Sequence, residues 1–322
     1  MSLELLSGVT VPVAFPLVTP KEFSHYHYER LMNVLAQAKI PVAFINGFTG
    51  QTYDMDNKTR LSVMYTASTL FAPSRERNPG MKFIVGVNGD TDAEFRENIA
   101  LAHQLKYDGI VVQPSRMDVG GDVVKFMKGV ESELPIILYS CSGTAKGGEV
   151  ITPDTITELS YIDNVVGVKV SEDFETHVEL CGRRTHPEFY FSMGNAYSIF
   201  DLAERSRDVV ANKTVGVVSG PANVFPKAWV KMWDLIQITA LDSNPDLGQD
   251  MAGQYTFQKN FLYEFKNQHE SIPDRVDMVS FINYLLTKKG IFSEPSVLDS
   301  NKNVAFEQEP YLNRAYDVLS SK

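Results

Sequence analysis

Val165-Val166-Gly167-Val168-Lys169-Val170 is an apolar run of strand-forming residues, interrupted once by glycine and once by lysine. Such a run shows no polar alternation, so it describes a strand covered on both faces, as in a parallel sheet. Lys169 is the exception within it. Burial disfavours the ammonium form and lowers the pKa. A neutral amine in a dry pocket can attack a carbonyl carbon and form a Schiff base. The alternative is a lysine at a strand end that stretches its head to water.

The same kind of run recurs on both sides of this segment. Residues 9–17, 42–45, 83–87, 109–112, 136–139, 189–193 and 215–218 complete a set of eight expected strands. Helix-like stretches lie between them at 28–39, 57–70, 91–105, 119–132, 153–159, 172–181 and 196–205. Thr91-Asp92-Ala93-Glu94 has the carboxylates of a helix start, and Thr152-Pro153 reads as a cap followed by a first-turn proline. Eight alternations within about 230 residues predict an α/β fold of the (β/α)₈ TIM-barrel type. An open doubly wound sheet would place a glycine-rich turn after its first strand. Here that position reads Phe15-Pro16-Leu17-Val18-Thr19-Pro20, and Gly86-Val87-Asn88-Gly89 is not G-x-G-x-x-G. Beyond residue 240 only helical patterns continue, at 252–265, 276–288 and 304–319. The expected organisation is a barrel domain over 1–240 and a C-terminal helical extension over 241–322.

Composition narrows the function classes. The 322 residues are 43% hydrophobic and 22% charged, with a formal net charge of −10. A diffuse acidic balance argues against nucleic acid as a partner. Cys141 and Cys181 form neither a disulfide framework nor a C-x-x-C motif. There is no signal-like start and no apolar run of 18 residues, so the expectation is a soluble cytoplasmic protein without membrane contact.

A (β/α)₈ barrel carries its active site at the C-terminal ends of its strands. Those ends hold Asn46-Gly47-Phe48-Thr49-Gly50-Gln51, Tyr139-Ser140-Cys141-Ser142-Gly143, Lys169 and Ser219-Gly220-Pro221-Ala222-Asn223. Lys169 and Tyr139 fall on adjacent strands, and a phenol beside an amine can shuttle protons. Tyr139 can equally be a barrel filler with a locally satisfied hydroxyl. The Gly47–Gly50 turn can present N–H groups to an anion, or it can be a plain strand–helix turn.

These segments, in this order, resemble the dihydrodipicolinate synthase / N-acetylneuraminate lyase family of class I aldolases. The resemblance runs from Gly8 to about Asn223. Gly47-Phe48-Thr49-Gly50-Gln51 stands where the family has G-T-T-G-E or G-S-T-G-E. Pro135 to Tyr139 stands at its P-x-x-x-Y, and Val165 to Lys169 at its I-V-G-I-K. Gly216-Val217-Val218-Ser219 with Ala222-Asn223 and Pro226 stands at its G-x-I-S-x-x-A-N-x-x-P. The resemblance implies that Lys169 forms an imine with a 2-oxo acid such as pyruvate and that Tyr139 relays protons. Thr49 and N–H groups of the turn would hold the acid's carboxylate, and Gly47, Phe48, Gly50 and Val218 would border it. It implies neither a metal nor an organic cofactor, and a homo-oligomer, dimer or tetramer.

The departures are also specific. The family usually has a hydroxyl residue at Phe48, often part of its proton relay, so water, Thr49 or a substrate group must replace it. Gln51 replaces a glutamate. Dihydrodipicolinate synthases have an arginine at Thr144 for the second substrate's carboxylate. They also have a tyrosine pair where Pro114 is followed here by Ser115-Arg116, and one of that pair enters a neighbouring subunit's site. The resemblance therefore implies a lyase or aldolase other than the lysine-pathway synthase, or a binding protein that has lost turnover. Arg116 can bind a carboxylate bidentately or lie at a subunit interface. Lys146 reads as a solvated loop residue. The six histidines fit no ligand spacing and read mostly as surface or capping residues.

Overall fold

The structure is a computed structural model that describes residues 5–19, 22–117, 122–145, 151–201, 214–241, 249–274, 276–299 and 302–321. Eight parallel strands close a barrel: β1 (Gly8–Pro12), β4 (Val42–Ile45), β5 (Lys82–Gly86), β6 (Gly109–Val112), β7 (Ile136–Ser140), β8 (Val165–Val170), β9 (Tyr190–Met193) and β10 (Thr214–Val218). Closure comes where β10 pairs with β1, Gly8 opposite Gly216 and Thr10 opposite Val218. Around the barrel run α1 (His25–Gln37), α2 (Asn57–Thr69), α3 (Phe71–Arg77), α4 (Asp92–Gln104), α5 (Val123–Lys128), α6 (Pro153–Leu159) and α7 (Phe174–Gly182). Later helices cover Pro226–Leu241, Gln249–Glu270, Met278–Lys288 and Glu309–Ser320.

Each barrel strand buries both faces, which is why its sequence is continuously apolar. The outward faces, including Val9, Val11, Ile45 and Val168, pack with the helices in the main core. The inward faces form a second cluster of Val42, Phe44, Ile84, Val111, Tyr139 and Val218, which fills the barrel. Leu5 and Leu6 join that inner cluster. Backbone must give way to them: a Cβ on Gly167 would stand 2.3 Å from Leu6 Cδ1, and one on Gly216 would stand 1.8 Å from the Leu6 carbonyl oxygen.

Several local expectations hold. Thr91 accepts a hydrogen bond from Glu94 N–H at the start of α4, and Thr152 accepts one from Thr155 N–H ahead of Pro153. Others need correction. Residues 9–17 are not one strand: β1 ends at Pro12, and β2 (Leu17–Thr19) pairs with β3 (Glu22–Phe23) in a small antiparallel hairpin outside the barrel. The chain turns out of the barrel between the two prolines, and the Pro16 carbonyl takes the Ser24 N–H instead. The helix expected over 119–132 is described only as Val123–Lys128, capped by Asp122 and ended at Gly129, and residues 118–121 lie outside the described residues. Residues 202–205 of the expected 196–205 helix and Lys146 also lie outside them. His177 is not a surface histidine. It is buried against Thr214 Oγ1, 2.8 Å from its Nε2, and burial lowers its pKa to about 4.

Asn223 locks the closure. Its Oδ1 accepts from Ala14 N–H at 3.0 Å, and its Nδ2 donates to the carbonyls of Pro12 and Gly220 at 2.9 and 2.8 Å. The side chain is fully buried, so these groups have no water to fall back on. Asn223→Ala is expected to cost about 2–4 kcal/mol, from leaving two or three buried polar groups unmatched. A fall in the urea midpoint with an unchanged m-value would measure it.

Candidate active site

The register brings the sequence candidates together. Tyr139 on β7 lies opposite Lys169 on β8, and Lys169 lies opposite Ser192 on β9. Lys169 is 6% exposed and Tyr139 is 4% exposed. Lys169 Nζ sits 3.6 Å from the centroid of the Tyr139 ring and 5.9 Å from that of Phe44. Two effects compete at the amine. A desolvated cation over an aromatic face gains about 2 kcal/mol. Taking an ammonium out of water costs several kcal/mol. Burial wins, and it brings the Lys169 pKa down from its ordinary 10.5 to about 7, against a smaller opposing pull from the Cys141 thiol.

Burial likewise pushes the Tyr139 phenol well above its ordinary range. The Cys141 side chain adds to that rise and the Ser171 hydroxyl opposes it. Cys141 follows Tyr139 by two positions, so both face inward from the same strand end, and the thiol packs against the inner cluster. Ser192 Oγ, fully buried beside Lys169, has no hydrogen-bond partner among the described residues. Val218 lines the same interior.

The turn after β4 forms one rim. Asn46 and Gln51 take positive φ of 53° and 60°. Arg60 holds the turn from below: its Nε donates to the Thr52 carbonyl at 3.1 Å, and its guanidinium pairs with Asp90 at 3.0 Å. The glycines are there for space, since a Cβ on Gly50 would stand 2.9 Å from the Val13 carbonyl oxygen. Gln51 N–H bonds the Phe48 carbonyl and Thr52 N–H the Gly47 carbonyl, whereas the N–H groups of Thr49 and Gly50 have no acceptor among the described residues. Thr49 is buried against Gly220, and Phe48 is 37% exposed at the mouth. The exchange of glutamate for Gln51 has a structural account. Gln51 Nε2 donates to the Phe15 carbonyl at 3.4 Å, and Oε1 accepts from Leu298 N–H at 2.6 Å. An ionised carboxylate could not donate to Phe15. Gln51 thus ties the segment after the Met278–Lys288 helix across the mouth, where Lys302 also pairs with Asp54 at 3.4 Å.

The opposite rim comes from the ends of β6 and β7. Arg116 lays its guanidinium over the Tyr53 ring, 3.9 Å from the centroid, and donates to the Thr144 carbonyl at 2.7 Å. Gln113 sits behind them, fully buried. It accepts from the Tyr53 hydroxyl and donates to Thr144 Oγ1 at 2.9 Å. Glu172 fastens the loop after β7 by accepting from Ser142 N–H at 2.8 Å and Ser142 Oγ at 2.7 Å. Between the rims opens a cleft of about 260 Å³, bordered by Phe48, Tyr53, Arg116, Thr144, Val279 and Lys302. Its size suits a small molecule rather than a dinucleotide. A larger groove of about 1140 Å³ lies outside the barrel between α4 and α5, remote from these groups.

Of the residues singled out from sequence, Phe48 of the Gly47–Gly50 turn, Arg116 and Thr144 border this cleft, Tyr139 borders a separate small inner cavity, and Lys169 and Val218 lie in the barrel interior beside Tyr139. Sequence reading missed Tyr53, Gln113, Ser192 and Glu172. Of these, only Tyr53 carried a signal, as an aromatic hydroxyl two residues beyond a strand-end turn. Known proteins resemble this chain in sequence and in fold. The chain is 27% identical over 104 residues to the L-threo-3-deoxy-hexylosonate aldolase of Hypocrea jecorina, spanning 32% of this chain and 33% of that protein. It is 22% identical over 240 residues to the probable mitochondrial 4-hydroxy-2-oxoglutarate aldolase of Emericella nidulans, covering 72% and 74%. The structure of YagE, an E. coli K12 prophage protein solved with pyruvate, superposes with a TM-score of 0.78 over 98% of both chains at 18% identity, a likeness of fold. The model of the Dihydrodipicolinate synthetase family matches residues 5–244, the whole barrel from Leu5 in its floor to the helix after β10. A match of that extent makes the chain a member of the dihydrodipicolinate synthetase family.

Proposed function

We propose that this protein is a class I lyase or aldolase that forms a Schiff base between Lys169 and a 2-oxo acid, pyruvate or a 2-keto-3-deoxy sugar acid. The observation that carries this reading is the buried Lys169 amine stacked on Tyr139 at the C-terminal end of the barrel, its pKa brought down to about 7. A substantial fraction of that amine is neutral and nucleophilic at physiological pH. Thr49 and the turn N–H groups take the substrate carboxylate, and Ser192 Oγ and Val218 border the carbon chain. The iminium draws electrons from C3, so a proton can leave there or a C3–C4 bond can break. Arg116, held on Tyr53 with guanidinium nitrogens to spare, takes a distal carboxylate or hydroxyl of the longer substrate. Thr144 beside it sets the room available. The enzyme works in the cytoplasm as a homo-oligomer, with residues 241–322 as an extension on the catalytic barrel.

Phe48 favours a second reading, a 2-oxo acid-binding member without turnover, because phenylalanine moves no proton. One experiment separates the two. Borohydride reduction with a panel of 2-oxo acids should attach the acid to the Lys169 peptide, with a labelling rate that rises with pH and levels off above about 7. Label with turnover supports the enzyme, label without turnover supports the binding protein, and absence of label from every acid defeats both. Pyruvate with aspartate semialdehyde should give negligible condensation, since Thr144 and Ser115-Arg116 stand where the lysine-pathway synthases have the arginine and tyrosine pair for that substrate.

A further inference from the structure

The relay implied at Tyr139 needs a way out of the barrel. Per iminium formed from the neutral amine, one proton must enter. The amine nitrogen attacks C2 and the C=O π pair moves onto oxygen; one amine proton passes to that oxygen and a second comes from the Tyr139 hydroxyl, the C2–O bond breaks with loss of water, and the nitrogen lone pair closes C=N. The resulting phenolate must regain a proton. When the iminium becomes an enamine, the C3–H electron pair moves into C2=C3, the C=N π electrons go to nitrogen, and the C3 proton must depart. Tyr139 is buried, so neither exchange reaches water directly. Phe48 cannot take part.

Tyr53 stands between the two compartments. It follows Thr52 in the short 3₁₀ turn Thr52–Asp54. Its ring borders the outer cleft with Phe48 and Arg116. It also borders a small inner cavity, about 10 Å³, whose wall includes Asn46, Asn88 and Tyr139. That volume is about the minimum for one water molecule, among enough polar groups to hold it. The Tyr53 ring lies 6.3 Å from that of Phe48. Its hydroxyl donates to the buried side-chain Oε1 of Gln113, and Gln113 is itself fixed by Asn88, whose Oδ1 accepts from Gln113 N–H at 2.9 Å and whose Nδ2 donates to the Gln113 backbone carbonyl at 2.8 Å. Burial pushes the Tyr53 phenol well above its ordinary range, and the Arg116 guanidinium over the ring face offsets part of that rise.

Resting on the Schiff-base reading above, we propose that Tyr53 carries protons between Tyr139 and the cleft, supplying from the same chain the hydroxyl that Phe48 lacks. The Tyr53 hydroxyl donates inward as Tyr139 is depleted and is refilled from cleft water. In enamine formation the transfer runs outward. No neighbouring subunit is needed to complete the relay.

The test uses the full-length protein with pyruvate in D₂O. NMR follows deuterium entry at C3, and borohydride labelling of Lys169 is measured in parallel. Tyr53→Phe keeps the ring under Arg116 and removes only the hydroxyl. It should still label Lys169 at saturation, while C3 exchange falls about a hundredfold and the pyruvate half-saturation moves less than about threefold. Tyr53→His restores a proton carrier. Its exchange should rise with pH through about 6.5, the imidazole range. If Tyr53→Phe exchanges within about threefold of the parent, or if Tyr53→His shows no new pH dependence, Tyr53 only packs the cleft and the proposal is overturned. If the parent labels with no 2-oxo acid, the Schiff-base reading fails and takes this proposal with it. A labelled parent with unaffected variants rejects the relay role alone.

Discussion

Lys169→Met should lose all borohydride-trapped label and all turnover, and at the same time melt at a higher temperature than the parent at pH 7. The first half follows from chemistry, since methionine has no nitrogen to form the imine. The second half follows from linkage. The folded pKa of Lys169 is about 7 and its unfolded value about 10.5, so between these limits the unfolded chain binds the extra proton. Stability therefore rises as pH climbs from 7 to 10.5, and the penalty is close to full at pH 7 and below. Methionine fills a similar volume and carries no charge, which removes the penalty. The gain in melting temperature should shrink as the pH approaches 10.5. An inactive Lys169→Met that is also less stable would mean the amine is well solvated or paired in the folded protein. That would remove the physical basis for its reactivity.

Tyr139→Phe should lower turnover of the true substrate at least about a hundredfold, the scale of a lost general acid–base group. The ring beneath Lys169 stays, so the cation–π contact at 3.6 Å and the barrel packing are kept. Only the hydroxyl is lost, the group on which Cys141 and Ser171 act. Slow labelling that still reaches completion, with slow turnover, is the signature of a missing proton carrier. Turnover equal to the parent would make Tyr139 a filler of the barrel, and a proton route through Cys141 would then have to be sought.

The fold was legible because burial on both faces leaves a mark on local sequence. The expected strands at 42–45, 109–112 and 165–170 coincide with β4, β6 and β8. The 9–17 run misled because its apolar residues stay buried after the chain leaves the sheet: Val13, Ala14 and Phe15 are core residues outside any strand. Lys169 and Tyr139 were legible as a pair because strand register follows from fold. Gln113 was not, since its partner Tyr53 lies 60 residues away and nothing local to either predicts the bond. Ser192 was hidden by its setting, one small polar residue between Phe191 and Met193 whose face only the ladder to Lys169 reveals. Gln51 appeared as a lost charge, and only its two distant partners, the Phe15 carbonyl and the Leu298 N–H, give it a positive role.

The Asn223 clasp has a consequence for how the molecule is made. Its bond to Ala14 spans 209 residues, and β1 finds its second neighbour only when Thr214–Val218 has been synthesised. At about 5–20 residues per second, roughly 10–40 s pass on the ribosome before that strand emerges. During that interval β1 can pair with β4 but keeps an open edge of Gly8, Val9 and Thr10, and an unpaired apolar edge is a template for association with other chains. Ring closure between such distant segments is also slow once the chain is free, because loop-closure entropy must be met before the contacts repay it. Production of the intact barrel is thus exposed to aggregation in the time between its first strand and its last, and holding chaperones or slower initiation at low temperature should raise its yield.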